Sequence, residues 1–286
     1  MPGLTPRISG PILITGAKGM LGTELSTHFS AQDLVCTDSD RLDITNKREV
    51  AQLIQKIRPR WVINAAAYTN VDKAEIEREQ AYAINTLGPK NLSEVCEDLG
   101  SSLIHFSTEY VFNGKSERPW TEEDLPEPLT PNFYAETKLL GDRAVLESKQ
   151  NLVVRVQWLY GAKRERFSGL KKLKEFTPLS DQFGAPTWVR DVAQIVSQLM
   201  SKDAAGLFHF AYDDHASWLE VYEFVKKEWD LPVRLIPKRS EELNLPAKRP
   251  LYGVMSNKKL KAFLGVEKIG SWKDSLRQFL GLVSRA

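Results

Sequence analysis

Ile12-Leu-Ile-Thr-Gly16-Ala-Lys18-Gly19-Met20-Leu21-Gly22 is the stretch on which the fold turns. Four apolar or β-branched residues read as a buried strand. Three glycines follow at G-x-x-G-x-x-G spacing, and the apolar spacing then becomes helical from Met20 to Phe29. A strand running through glycines into a helix is the phosphate-binding turn of a dinucleotide fold. The first glycine permits the tight turn, the second lets backbone approach a pyrophosphate, and the third lets helix pack on sheet. The free N–H groups and the helix dipole then face the phosphates. Gly16, Lys18, Gly19, Met20 and Leu21 are therefore candidate cofactor contacts.

The pattern outward from this loop alternates. Asp33–Cys36, Trp61–Asn64, Ser102–Phe106 and Leu152–Val156 are short apolar runs. Helical spacing separates them over 46–58, 73–99 (with a break near Gly88-Pro89) and 134–148. Such alternation predicts βαβ units and a doubly wound parallel sheet of Rossmann type, covered on both faces. A long loop with four prolines spans 113–132, and long loops in compact domains are often functional. Helices are expected at 163–175, 188–200, 218–229 and 258–263, with a strand at 206–210. The expected division is a cofactor-binding domain over 1–160, with 184–210 returning to it, and a smaller α/β substrate domain over 161–286.

Composition sets the bounds. The chain has 286 residues, 42% hydrophobic and 27% charged, which excludes a disordered or fibrous protein. No run approaches a membrane span. The start, MPGLTPRISG, lacks a charged segment followed by an apolar core, so no secretory leader is expected. Cys36 and Cys96 fit no zinc or redox spacing, and both are expected as buried, reduced thiols. A reducing compartment, the cytoplasm, follows as the expected location. The net charge of +2 conceals a split. Residues 1–160 carry 17 Lys+Arg and 22 Asp+Glu, whereas 161–286 carry 22 and 15. The basic second part points to an anionic ligand, with Lys163–Lys174 its preferred source. No recognition motif accompanies that charge, so a nucleic-acid partner is not expected.

Asp38 lies about twenty residues past the loop, where an acid accepts hydrogen bonds from ribose hydroxyls and favours NAD. Lys18 and Arg41 pull toward a 2′-phosphate, so the cofactor stays open as NADPH or NADH. Asp43-Ile44 is placed to lie against the adenine. Tyr134-Ala-Glu-Thr-Lys138 puts a phenol and an ammonium one helical turn apart on one face. The cation is expected to lower the phenol pKa and fit it for acid–base work. Ser107 and Thr108 end the fourth strand. With Ala65, Ala66 and Ala67 they lie at carboxyl ends of strands, where open α/β sheets bind ligands.

These residues resemble the extended short-chain dehydrogenase/reductases. Four further stretches are similar to the dTDP-4-dehydrorhamnose reductase family: Ile63-Asn-Ala-Ala-Ala-Tyr-Thr-Asn-Val-Asp-Lys-Ala-Glu75, Ser107-Thr-Glu-Tyr-Val-Phe112, Asp181-Gln-Phe-Gly-Ala-Pro-Thr187 and Arg249-Pro250. The resemblance implies reduction of the C4 ketone of dTDP-4-dehydro-L-rhamnose to dTDP-L-rhamnose by NADPH or NADH, in polysaccharide biosynthesis. Tyr134 would donate the proton, Lys138 would lower its pKa and hold the cofactor ribose, and Thr108 would bond the carbonyl. Ser107 joins the cofactor set. Thr69, Val71, Tyr110 and Trp158 would border the dTDP-sugar together with Thr108 and Tyr134, and Asp72 shares the Thr69–Val71 loop. Asn85 would hold backbone near the site. A homodimer is the assembly carried forward.

The chain also departs from the family pattern. Glu109 stands for the usual aspartate, Ala135 for a glycine and Gln157 for a common serine. The asparagine-rich stretch after Gly161 is shorter and basic here. Some family members bind Mg²⁺ through acids at a subunit contact. Glu24 fits one such position, but Arg190 stands where a second acid would be, so no metal is expected. Two other functions stay open: reduction of another nucleotide-linked keto sugar, and a non-catalytic regulatory subunit such as the same fold provides for methionine adenosyltransferase.

Overall fold

The computed structural model describes residues 8–164 and 166–284. Six strands form one sheet: β1 (Ile12–Thr15), β2 (Leu34–Cys36), β3 (Trp61–Asn64), β4 (Ser102–Thr108), β5 (Leu152–Val156) and β6 (Gly206–His209). Their order is β6-β5-β4-β3-β1-β2, and every pairing is parallel. The chain reverses its direction of travel across the sheet at β1, so the first crevice opens between β1 and β3. This is a Rossmann-type α/β fold.

Alternation along the strands builds two cores. Ile12, Ile14, Ile63, Ile104 and Val154 face one side, where α1 (Met20–His28) and later helices pack. Leu13, Val62, Leu103 and Val153 face the other, against α2 (Lys47–Ile57) and the helical stretch before β4. Each helix has local reasons to start and stop. Asn46 Oδ1 accepts from the amides of Arg48 and Glu49 at the start of α2, and Arg58 in the left-handed region ends it.

The expected single helix over 73–99 is divided. A 3₁₀ turn at Lys73–Glu75 leads to α3 (Arg78–Tyr82), then one π turn at Ala83–Leu87, then α4 (Gly88–Leu99). Pro89 sits in the first turn of α4, where its missing N–H costs nothing. The irregular turn carries Asn85, whose side chain makes the bonds that follow below.

The later helices are α5 (Phe133–Leu146), α6 (Val189–Ser201), α7 (Trp218–Glu228), α8 (Lys258–Leu264) and α9 (Trp272–Val283). Asn132 caps α5 by accepting from the Ala135 amide. The helix expected over 163–175 does not form. Two 3₁₀ turns, Ala162–Arg164 and Ser168–Lys172, stand in its place. Phe167 and Leu170 are buried three residues apart, the spacing of a 3₁₀ turn. Among the described residues no helix is long and apolar enough to cross a membrane. Cys96 is buried as expected, and burial pushes its thiol up. Cys36 is only half-buried, because β2 is an edge strand, and its Sγ lies 3.2 Å from Ser26 Oγ.

Candidate active site

The glycine loop is built by close approach. Gly16 has φ +64°, and a Cβ there would lie 2.5 Å from the Ala66 amide nitrogen. A Cβ on Gly22 would lie 2.1 Å from the Gly16 carbonyl oxygen. The loop therefore presses against the end of β3 while α1 presses against the loop. Beside it runs a groove of about 480 Å³, lined by Gly16, Gly19, Asp38, Asp43, Ile44 and Ala65–Ala67. These are eight of the candidate cofactor contacts, brought to one place. Leu21 is not among them: its side chain turns into the core, as a helix face packed on the sheet demands. Lys18 lies on the rim, with its ammonium 2.7 Å from Asp40. Asp38 accepts from the Lys18 and Ser39 amides at 2.8 and 2.9 Å, which ties its carboxylate to the turn.

A second cavity, about 530 Å³, opens beyond the ends of β4 and β5. Thr108, Tyr134, Tyr110 and Trp158 line it, as do Thr69 and Val71 from the loop after β3. Ser107 also reaches it. Met20 lines this cavity rather than the groove, because the first turn of α1 projects past the sheet end. Asn85 clamps its wall. Its Oδ1 accepts from the Tyr68 amide at 2.9 Å, and its Nδ2 donates to Tyr68 O and Thr137 Oγ1. Asp72 points the other way, into a bidentate pair with Arg249 at 2.8 and 2.7 Å. That pair ties the loop after β3 to the C-terminal segment, and Arg249 in turn faces Tyr110.

The chemistry of the centre differs from the expected depression of the phenol. Burial pushes the Tyr134 pKa above its ordinary value, and the neighbouring Glu109 and Tyr110 push it further, against the Thr108 hydroxyl. Lys138 is fully enclosed beneath the cavity. Its Nζ donates to Phe106 O at 2.6 Å and lies 3.1 Å from His105 Nε2, and burial pulls its pKa down to about 8. Thr108 Oγ1 lies 2.9 Å from Glu109 Oε2 and accepts from the Tyr110 amide. Burial pushes the Glu109 carboxyl up to about 7. An ionised Glu109 takes the only proton of Thr108. A protonated Glu109 can donate instead, which frees that proton for the cavity.

Sequence reasoning did not assign roles to His105, Asp142 or Trp218. His105 sits inside the apolar run Leu103–Phe106, where a lone polar residue was the available signal. Asp142 follows Lys138 by one turn on α5 and pairs with Arg155 at 3.2 Å, both fully buried. Trp218 comes from α7 and had no local signal. Of the basic run, Arg166 reaches the cavity and lies over the Trp218 ring. Lys163 lies against the glycine loop, on Lys18 O and Thr23 Oγ1, and Lys171 covers Trp229. The run is thus spread over three places rather than forming one phosphate site. Glu24 is engaged by Arg190 at 3.5 Å.

Comparison with known proteins agrees with this arrangement. Residues 10–284 match the family model described as the RmlD substrate binding domain. A dTDP-4-dehydrorhamnose reductase of Streptomyces griseus is 36% identical over 96% of this chain and 94% of its own. A dTDP-4-keto-6-deoxy-D-glucose reductase of Streptomyces niveus is 33% identical over 95% of this chain and 97% of its own. The crystal structure of dTDP-4-dehydrorhamnose reductase from Bacillus anthracis in complex with NADP superposes with a TM-score of 0.90 at 31% identity, covering 96% of this chain and 99% of that one. The chain belongs to the dTDP-4-dehydrorhamnose reductase family.

Proposed function

We propose that this protein is an NAD(P)H-dependent reductase that converts the C4 ketone of dTDP-4-dehydro-L-rhamnose to the alcohol of dTDP-L-rhamnose. The observation that carries the reading is the adjacency of two spaces at the carboxyl ends of one parallel sheet: a glycine-lined groove and a cavity holding Thr108 and Tyr134. The groove fits a dinucleotide, since Gly16 and Gly19 line it without side chains at the turn that leads into α1, where backbone N–H groups can meet phosphates. Bound there, NADPH or NADH supplies the hydride.

The residues of the chain do the rest. Tyr134 gives its phenolic proton to the ketone oxygen as C4 is reduced, so one hydride and one proton make the alcohol. Its raised pKa keeps it protonated at neutral pH. Thr108 hydrogen-bonds the same oxygen, and the Lys138 ammonium, one helical turn from Tyr134, would lend positive charge to the phenol and hold the cofactor ribose. Thr69, Val71, Tyr110 and Trp158 enclose the sugar. We assign 1–160, with 184–210 returning to it through β6, to the cofactor, and the remainder of 161–286 mainly to the substrate. The related enzymes' names support a dTDP-sugar as substrate. A homodimer in the cytoplasm remains the proposed setting, testable by sedimentation.

The relative named for dTDP-4-keto-6-deoxy-D-glucose supports a second reading, with the same chemistry on another sugar. Product analysis by NMR separates them. Formation of dTDP-L-rhamnose from dTDP-4-dehydro-L-rhamnose supports the first, and turnover of the glucose-derived ketone alone supports the second.

A further inference from the structure

Gln157 follows the last residue of β5 and is 1% exposed. Neither its Nε2 nor its Oε1 has a hydrogen-bond partner, yet the residue lines the catalytic cavity with Thr108 and Tyr134. A primary amide carries two donors and one strong acceptor, and a buried amide left unpaired is costly. The cost is imposed by the surroundings. The next residue, Trp158, is held at φ +45°, a conformation that bulky residues rarely adopt. Its indole stacks on Trp218 at a centroid separation of 3.9 Å and an angle of 14°. A Cβ on Gly184 would lie 2.8 Å from the Trp158 ring and 2.9 Å from Gln157 Oε1, so this wall has no room for a side chain there. Strain and an unsatisfied polar group at one cavity wall mark a site that a ligand completes.

We infer that Gln157 is a specificity-determining residue whose amide pairs with hydroxyl groups of the sugar. The inference rests on the nucleotide-sugar reading above. The ligand it selects is a hexose with a hydroxyl that both donates and accepts, held against the Trp158–Trp218 pair. Gln157 shares its cavity with Thr108 and Tyr134, the groups assigned to the ketone of the sugar, so its contribution is expected to belong to the sugar and not to the nucleotide.

Gln157→Met keeps the length of the side chain and removes both polar atoms. Calorimetric binding of dTDP and of dTDP-L-rhamnose, with thermal melting of the ligand-free protein, tests the assignment. The expected variant melts at or above the wild-type temperature, binds dTDP within about twofold of wild type, and binds dTDP-L-rhamnose about tenfold more weakly or worse. A variant that binds the sugar nucleotide like wild type overturns the inference alone. So does one that fails to fold, or that melts several degrees lower and loses dTDP equally, since Gln157 would then be structural. A wild-type protein that binds dTDP-L-rhamnose no more tightly than dTDP overturns both the inference and the reading beneath it.

Discussion

The Nζ of Lys138 lies 3.1 Å from Nε2 of His105, and the other ring nitrogen, Nδ1, lies 3.1 Å from Asn64 Nδ2. Asn64 Oδ1 already accepts from Thr15 Oγ1 and the Ala66 amide, which turns its NH₂ toward His105. The ring must accept at Nδ1, so its one proton, in the neutral form, sits on Nε2 and faces Lys138. Burial and the Lys138 charge together keep His105 neutral. An ammonium and an N–H are therefore opposed inside the protein, and a neutral amine relieves the conflict.

Burial pulls the Lys138 pKa down to about 8, against the charge of Asp142. Activity that needs its positive charge should fall as pH rises through about 8. The Tyr134 phenol, raised above its ordinary value, loses its proton only at higher pH. His105→Gln offers the ammonium a carbonyl acceptor and should move the alkaline limb of kcat/KM upward. A limb that stays in place would remove His105 from the control of Lys138.

Glu109 gives a prediction about stability. The carboxyl is 3% exposed, and its pKa rises from 4.5 to about 7 on folding. The native state then binds the proton more tightly than the unfolded chain. The corresponding stability is complete below about pH 4.5 and is lost as pH rises through 7. Glu109→Gln carries no such loss. It should match or trail wild type at pH 5 and exceed it at pH 8, with a swing on the order of 2–3 kcal/mol. Urea unfolding of both proteins at the two pH values measures the swing.

Asp142 pairs with Arg155 where neither side chain meets solvent. Asparagine keeps the shape and removes the charge, which leaves the guanidinium buried without a counterion. Asp142→Asn should cost about 3–5 kcal/mol in urea unfolding. Asp142 also favours the charged form of Lys138, so the same variant should lower the alkaline limb of activity. Lys47→Ala, which breaks an exposed pair with Glu94, serves as the control and should leave the unfolding midpoint unchanged.

We propose that coenzyme choice falls on Asp38 and Arg41. The Asp38 carboxylate disfavours a 2′-phosphate, and the Lys18 ammonium that would offset it is engaged by Asp40. Arg41 borders the same rim, and no side-chain bond is seen for it among the described residues. Arg41→Ala should raise KM for NADPH at least fivefold and leave KM for NADH within about twofold, a difference on the order of one charge-assisted hydrogen bond. Equal effects on the two would place recognition elsewhere.

What was legible in the sequence was local. Ile12–Gly22 carries its strand, turn and helix in eleven consecutive residues, and Tyr134 and Lys138 share a helix face. α9 was missed although Leu276, Phe279 and Leu280 repeat at helical spacing after the Ser271 cap. The helix wrongly expected at 163–175 had charge but lacked an apolar stripe of that period. His105 against Lys138, and Trp158 against Trp218, join residues 33 and 60 positions apart. No spacing rule reaches such pairs, because the packing of whole elements sets them.

The most direct measurement is oxidation of NADPH and NADH by the purified protein with dTDP-4-dehydro-L-rhamnose, run beside Tyr134→Phe. The account predicts steady turnover by the wild-type protein, at least 10²-fold slower turnover by the variant, and unchanged cofactor binding in both. Cofactor binding with no oxidation by the wild-type protein, or near-full activity in the variant, would contradict it.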